Sequence, residues 1–134
     1  MNESRENEAA TRRDPPSLVG RLLFGGMLGF SAINAFRNVD AQIGYAESKG
    51  VPYADRLVPF SSGMLAFGSI GIVLWRMPAL ASGAVATFLA AITPSMHDFW
   101  EADGPERQNE QNHFIKNVAM LGAAVAFLRR ALGR

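Results

Sequence analysis

The chain has 134 residues, 49 % of them hydrophobic and 19 % charged, with a formal net charge of +1 at pH 7. Its charges lie almost wholly outside four apolar blocks, so it lacks the amphipathic faces of a soluble domain, and no basic stripe interleaved with aromatics argues for nucleic acid. There is no cysteine, which removes disulfides, cysteine-ligated iron–sulfur clusters, c-type haem and thiol nucleophiles from this chain.

Residues 1–17, "MNESRENEAATRRDPPS", are polar and close on a Pro-Pro pair. They predict a disordered tail with a stiff lead-in to the first helix. The tail mixes both charge signs and no small-x-small cleavage site follows the apolar run, unlike a cleaved signal peptide. Residues 18–36, "LVGRLLFGGMLGFSAINAF", form the first predicted span. At about 1.5 Å per residue it covers roughly 28 Å, close to a bilayer's hydrocarbon thickness. Arg21 lies within a turn of its start and can snorkel to the interface.

The connection 37–56, "RNVDAQIGYAESKGVPYADR", places Val39, Ile43 and Ala46 on one helical face, with Gly50 and Pro52 as stop signals. It predicts a short interfacial helix. Residues 57–75 form the second span, "RMP" a short turn, and residues 79–96 the third span, with Pro94 near its end. Residues 97–112, "HDFWEADGPERQNEQN", make a charged loop, and 113–128, "HFIKNVAMLGAAVAFL", a shorter fourth span. The expected fold is therefore all-α: an integral membrane four-helix bundle over residues 18–132.

With four spans, the tail, the 76–78 turn and the C-terminus share one side. That side carries Arg5, Arg12, Arg13, Arg21, Arg76, Arg129, Arg130 and Arg134; the other carries Arg37, Lys49, Arg56, Arg107 and Lys116. Eight against five places both termini in the cytoplasm under the positive-inside rule. Small residues should mediate packing, because lipid leaves little hydrophobic drive between helices. The expected stripes are Gly25 and Gly29; Gly63, Phe67 and Gly71; Gly83, Thr87 and Ala91; and Ala119 with Ala123. They leave open contacts within one bundle or between copies.

Polar residues collect at the outward end. Thr93, His97 and Trp100 share a face, as do His113, Lys116 and Asn117; Asn34, Arg37, Asn38, Ser61 and Ser62 reach the same level. An ionisable residue in a span faces the protein interior and finds a partner. Lys116 is the sharpest case, and Asp98 its expected partner in a structural ion pair. Two readings of the set compete. In one, His97, Lys116 and Arg37 hold the carbonyl oxygens of a lipid-soluble ligand while Trp100 packs on its ring. In the other, the ion pair is internal and Trp100 belongs to an aromatic belt. Two histidines at the edge of the hydrocarbon, without a further ligand cluster, do not make a metal or haem site. No serine-nucleophile motif, phosphate loop or zinc motif is present.

The chain resembles the DoxX-like family of small four-helix membrane proteins over residues 18–128. The resemblance rests on "GYAESKGVPYADRLVPFSSGML" (44–65), "ITPSMHDFW" (92–100) and "HFIKNVAMLGA" (113–123). It implies a cytoplasmic-membrane protein of the class that includes a subunit of thiosulfate:quinone oxidoreductase, and points to His97, Phe99, Trp100, Lys116 and Asn117. The expected function is thus a subunit that binds or couples to quinone in a membrane oxidoreductase complex, with quinone as its ligand and no cofactor of its own. Without cysteine, a separate redox partner would supply any sulfur chemistry. The alternative is a non-redox scaffold or a transporter of small solutes or lipids.

Overall fold

The computed structural model describes the backbone of residues 2–134 and, except at 8–13, their side chains. The structure is 84 % helical, with no strand among the described residues. Helix α1 runs Asn2–Arg13. Helix α2 covers Leu18–Arg37 and contains one π-helical segment, Leu22–Gly26. Helices α3 (Val39–Ser48), α4 (Ala54–Leu74), α5 (Pro78–Met96) and α6 (Gly104–Ala131) follow. A 3-10 turn, Phe99–Glu101, lies between the last two.

Three helices are long and apolar enough to cross a membrane: Leu18–Arg37, Ala54–Leu74 and the segment Pro78–Glu101. Helix α6 is longer, 28 residues, or about 42 Å at the helical rise. It falls outside that class because its first nine residues, "GPERQNEQN", are polar and Lys116 and Asn117 interrupt the apolar part. The charged loop expected over 97–112 is thus shorter than the sequence suggested, since α6 begins at Gly104. The N-terminal segment also differs from expectation: α1 is helical rather than disordered. Glu3 in its first turn is favourable against the helix dipole, and the helix stops ahead of Pro15 and Pro16.

The helices pack serially, α2 on α4, α4 on α5 and α5 on α6. Their shared core contains Leu28, Ala32, Leu65, Ile72, Val85, Leu89 and Ala124. Close approach rests on glycine: Gly25, Gly29 and Gly71 of the expected stripes make it, whereas Gly63 and Gly83 do not and Gly68, outside them, does. A Cβ at Gly71 would lie 2.4 Å from Ala81 Cβ, and one at Gly68 would lie 2.5 Å from Val85 Cγ2. Gly25 is somewhat less tight, with Val73 Cγ2 at 2.8 Å, whereas Gly83 has nothing within 4 Å. On α5 the buried line is Ala81, Ser82, Val85 and Leu89, while Thr87 and Ala91 are exposed; on α6 it is Ala124 rather than Ala119. Small residues do mediate the packing, but helices in a twisted bundle meet along a line that spacing within one helix does not fix.

Outward faces are apolar, the reverse of a soluble bundle. On α2, Leu23, Met27 and Phe30 are each more than 60 % exposed. Patches this large mark contact with lipid or protein.

Two ends follow from this topology. At one, α4 turns into α5 through Trp75, Arg76 and Met77, with Trp75 and Met77 in the left-handed region (φ 51° and 45°). There Phe24 stacks on Phe127 at 5.1 Å and Trp75 tilts against Phe127. Arg21 does not simply snorkel: its guanidinium donates to Val73 O at 2.7 Å and to Pro16 O at 3.0 Å, capping the end of α4. At the other end α3 lies beside the α5–α6 connection. Its buried Ala46 packs with Ala54 and Met96, and Gly50 (φ 77°) turns the chain into α4.

Candidate functional site

The His97 end holds a polar network and, beside it, a cavity. The network begins with α5, whose last turn delivers His97 as its C-terminal cap; the His97 N–H donates to Thr93 O at 3.1 Å. His97 Nδ1 lies 3.0 Å from Glu110 Oε2 on α6. A carboxylate only accepts, so Nδ1 carries the proton in this bond. Tyr45 of α3 shares its hydroxyl proton between Glu110 Oε1 at 2.8 Å and Met96 O at 3.1 Å. Four residues further along, Lys49 donates to Asp98 Oδ1 at 2.6 Å and lies 5.4 Å from the centre of the Tyr45 ring. The connection after α2 is thereby tied at two points to the start of α6 and the end of α5.

The electrostatics follow from burial and partners. Burial pushes the Glu110 carboxyl up, but hydrogen bonds from Tyr45 and His97 outweigh it and hold the group below its ordinary value. Burial and then the Glu110 hydrogen bond raise the Tyr45 phenol. The hydrogen bond to Asp98 raises the Lys49 ammonium, against a smaller opposing effect of burial. Glu110 is therefore an ionised acceptor at neutral pH, only 6 % exposed.

The expected Asp98–Lys116 pair is not formed. Asp98 sits on the loop two residues beyond α5, where Lys49 reaches it; Lys116 lies three turns into α6. Lys116 is exposed and meets only His113, whose Nδ1 is 3.4 Å from its ammonium. No carboxylate partners it among the described residues. His113 stacks on His97, ring centres 5.1 Å apart.

Phe99, Trp100 and Phe114 form a separate edge-to-face cluster, with centroids 5.3–6.0 Å apart. Trp100 remains half exposed at its margin. Arg37 is exposed at the end of α2, outside network and cavity. Asn38 donates to its own helix at Asn34 O, and Ser61 to Val58 O.

The cavity is about 540 Å³ and is walled by all four long helices together with α3. That volume falls in the range of small-molecule sites. Leu28, Leu65, Ile92 and Met96 give it apolar walls, and α3 contributes Gln42 and Ala46. It reaches the exposed residues Thr87, Ala91 and Ser95 on the lateral face of the bundle. Pro59 and Pro94 interrupt the helical hydrogen bonding of α4 and α5 in these same halves.

Donor side chains in the lining are Ser31, Gln42, Ser62, Lys116 and Asn117, besides Ser61, Thr87 and Ser95, whose hydroxyls bond carbonyls of their own helices. Asn117 and Ser62 are each only 6 % exposed, and neither side chain hydrogen-bonds another described residue. Ser82 Oγ is the fully enclosed side-chain atom without a partner among the described residues, so the polar atoms of Asn117 and Ser62 keep access to open space.

Of the five expected ligand residues, Lys116 and Asn117 line the cavity; His97, Trp100 and Arg37 do not. Sequence reasoning missed Tyr45, Lys49 and Glu110. A signal was present for Glu110, which precedes His113 and Asn117 at i, i+3, i+7 on one face. Tyr45 and Lys49, at i, i+4, flank the inward Ala46.

No family model, no curated protein and no solved structure matches the chain; its function is therefore argued from its own geometry.

Proposed function

We propose that this chain is a multi-pass protein of the cytoplasmic membrane that holds a quinone in the lateral cavity, as a non-catalytic subunit of a membrane oxidoreductase complex. In this reading all four long helices cross the bilayer, both termini are cytoplasmic, and the polar first turns of α6 project outward beside α3. One observation carries it: an apolar cavity open to the lateral face, lined by buried Asn117 and Ser62 whose side chains bond no other described residue. A quinone headgroup offers carbonyl oxygens, which need donors, and its tail can leave through the lateral opening into lipid. Lys116 and Asn117 are the proposed headgroup contacts. The resemblance to the DoxX-like family supports the same class of ligand, and the eight-to-five distribution of Lys and Arg supports the orientation.

Solvent extraction of the purified protein tests the reading. Quinone should be recovered at near one per chain from the wild type and be depleted in Asn117→Leu. Absence of quinone from a folded wild type, together with no binding of a short-chain analogue, would reject it. Topology has its own test, helped by the absence of native cysteine. Single cysteines at Glu3 and Asn109 should label from opposite sides of intact cells; labelling from one side would reject four spans.

The non-redox alternative draws on a different observation. His97 and Asp98 are both engaged within the protein, so the "HDFW" segment serves architecture rather than electron transfer in that reading. A folded protein that lacks both quinone and a redox partner would favour it.

A further inference from the structure

The cavity wall is asymmetric in charge. Twenty-three residues line it, and among them Lys116 is the only charged one. Two carboxylates of this end are committed elsewhere, Asp98 to Lys49 and Glu110 to Tyr45 and His97. Lys116 is exposed, and its one polar contact among the described residues is His113 Nδ1 at 3.4 Å, at the long limit of a hydrogen bond. A lysine at the edge of an apolar cavity, with no carboxylate partner among the described residues, favours an anion in the space it borders.

The neighbouring donors narrow the chemistry. A carboxylate presents two oxygens with about four acceptor positions and no donor. Lys116 and Asn117 supply N–H groups and Ser62 an O–H to the cavity lining, a donor set suited to an acceptor-only headgroup. The walls beyond them are apolar and open laterally, which accommodates a hydrocarbon tail. A cavity of about 540 Å³ suits a single-chain molecule better than a two-chain lipid.

We propose that the cavity binds a single-chain amphiphilic carboxylate, a long-chain fatty acid in its ionised form, with the headgroup at Lys116, Asn117 and Ser62. This rests on the reading of the cavity as a ligand site, and not on quinone being its occupant. The two ligands would compete for one space.

The test is equilibrium binding of radiolabelled dodecanoate to the full chain in neutral detergent, with dodecylamine, phosphatidylglycerol and decylubiquinone as unlabelled competitors. Dodecanoate should bind at near one per chain. Unlabelled dodecanoate should displace it at least tenfold more effectively than dodecylamine or phosphatidylglycerol. Lys116→Met should weaken dodecanoate at least tenfold, and Lys116→Arg should retain dodecanoate binding. Equal displacement by dodecylamine, or unchanged affinity in a folded Lys116→Met, would overturn the proposal. Displacement chiefly by phosphatidylglycerol would overturn it in favour of a phospholipid headgroup. If decylubiquinone binds and dodecanoate does not, this proposal falls and the quinone reading stands. If neither binds, both fall.

Discussion

The two ends of the bundle are held together by different physics. At the Trp75 end, helices approach backbone to backbone across Gly68 and Gly71, aromatic rings stack, and Arg21 caps α4 by bonding Val73 O. At the His97 end the helices enclose a cavity, and cohesion depends on Tyr45, Lys49, His97, Asp98 and Glu110 on separate elements. Close packing needs no particular ionisation state and leaves no room for a ligand. Polar ties can span a gap and respond to pH. The Trp75 end is fixed by close packing, whereas the His97 end leaves open space and depends on ionisable side chains.

The largest expected effect falls on the packed end. Gly71→Val would force side-chain atoms into Ala81 Cβ and Arg76 O, which a Cβ alone already meets at 2.4 and 3.0 Å. Overpacking typically costs about 1–3 kcal/mol and occasionally more; with backbone on one side, the upper end or a failure to fold is expected. Gly83→Ala, with nothing within 4 Å, should be neutral or stabilising by up to about 1 kcal/mol through helix propensity. Thermal unfolding in detergent checks both, and equal sensitivity at the two glycines would break the comparison.

Next in size is Glu110→Ala, which strips the acceptor from Tyr45 and His97. Hydrogen bonds to charged groups contribute about 1.5–3 kcal/mol, and a loss in that range is expected. It should be local: amide exchange should accelerate across Val39–Ser48 and stay unchanged around Ile72. Tyr45→Phe keeps the ring and loses one bond, so about 1 kcal/mol is expected.

The pH response sharpens the same contrast. Glu110 is held below its ordinary value of 4.5, so its contribution is present above that value and is lost as pH falls through the lower folded pKa. Lys49 is raised above 10.5, so its contribution is present below that value and is lost as pH rises through the higher folded pKa. Protection of Val39–Ser48 should therefore decline on the acid side through Glu110 and on the alkaline side through Lys49. Glu110→Gln should flatten the acid decline and Lys49→Met the alkaline one.

The smallest effect is a gain. Ser82 Oγ is fully buried at the α5 packing face with no hydrogen-bond partner among the described residues. Removing an unsatisfied hydroxyl should help rather than harm, so Ser82→Ala should stabilise by up to about 1 kcal/mol. A clear loss would show that the hydroxyl is satisfied in the membrane.

The long apolar runs made the helices legible in the sequence, and Gly50 with Pro52 located the end of α3. Registers were less legible: Gly68 and Ala124 carry the contacts expected of Gly63 and Ala119, because the contact line depends on how two helices cross. The same gap explains the ion pair. Lys116 and Asp98 flank one connection, whereas Lys49 reaches Asp98 from 49 residues away along the chain, a proximity set by the docking of α3. The donors at Lys116 and Asn117 were legible as polar residues in an apolar run. The cavity they line was not, since it arises from packing among α2, α3, α4, α5 and α6.

The most direct test of the account separates cavity from network. Decylubiquinone affinity should be measured on wild type, Asn117→Leu and Trp100→Ala, each verified as folded. Asn117→Leu removes a buried donor and adds bulk to the cavity wall, whereas Trp100 lies outside it. The account predicts binding by wild type, a loss of at least tenfold in Asn117→Leu and little change in Trp100→Ala. No binding by wild type, or a larger loss in Trp100→Ala than in Asn117→Leu, would contradict it.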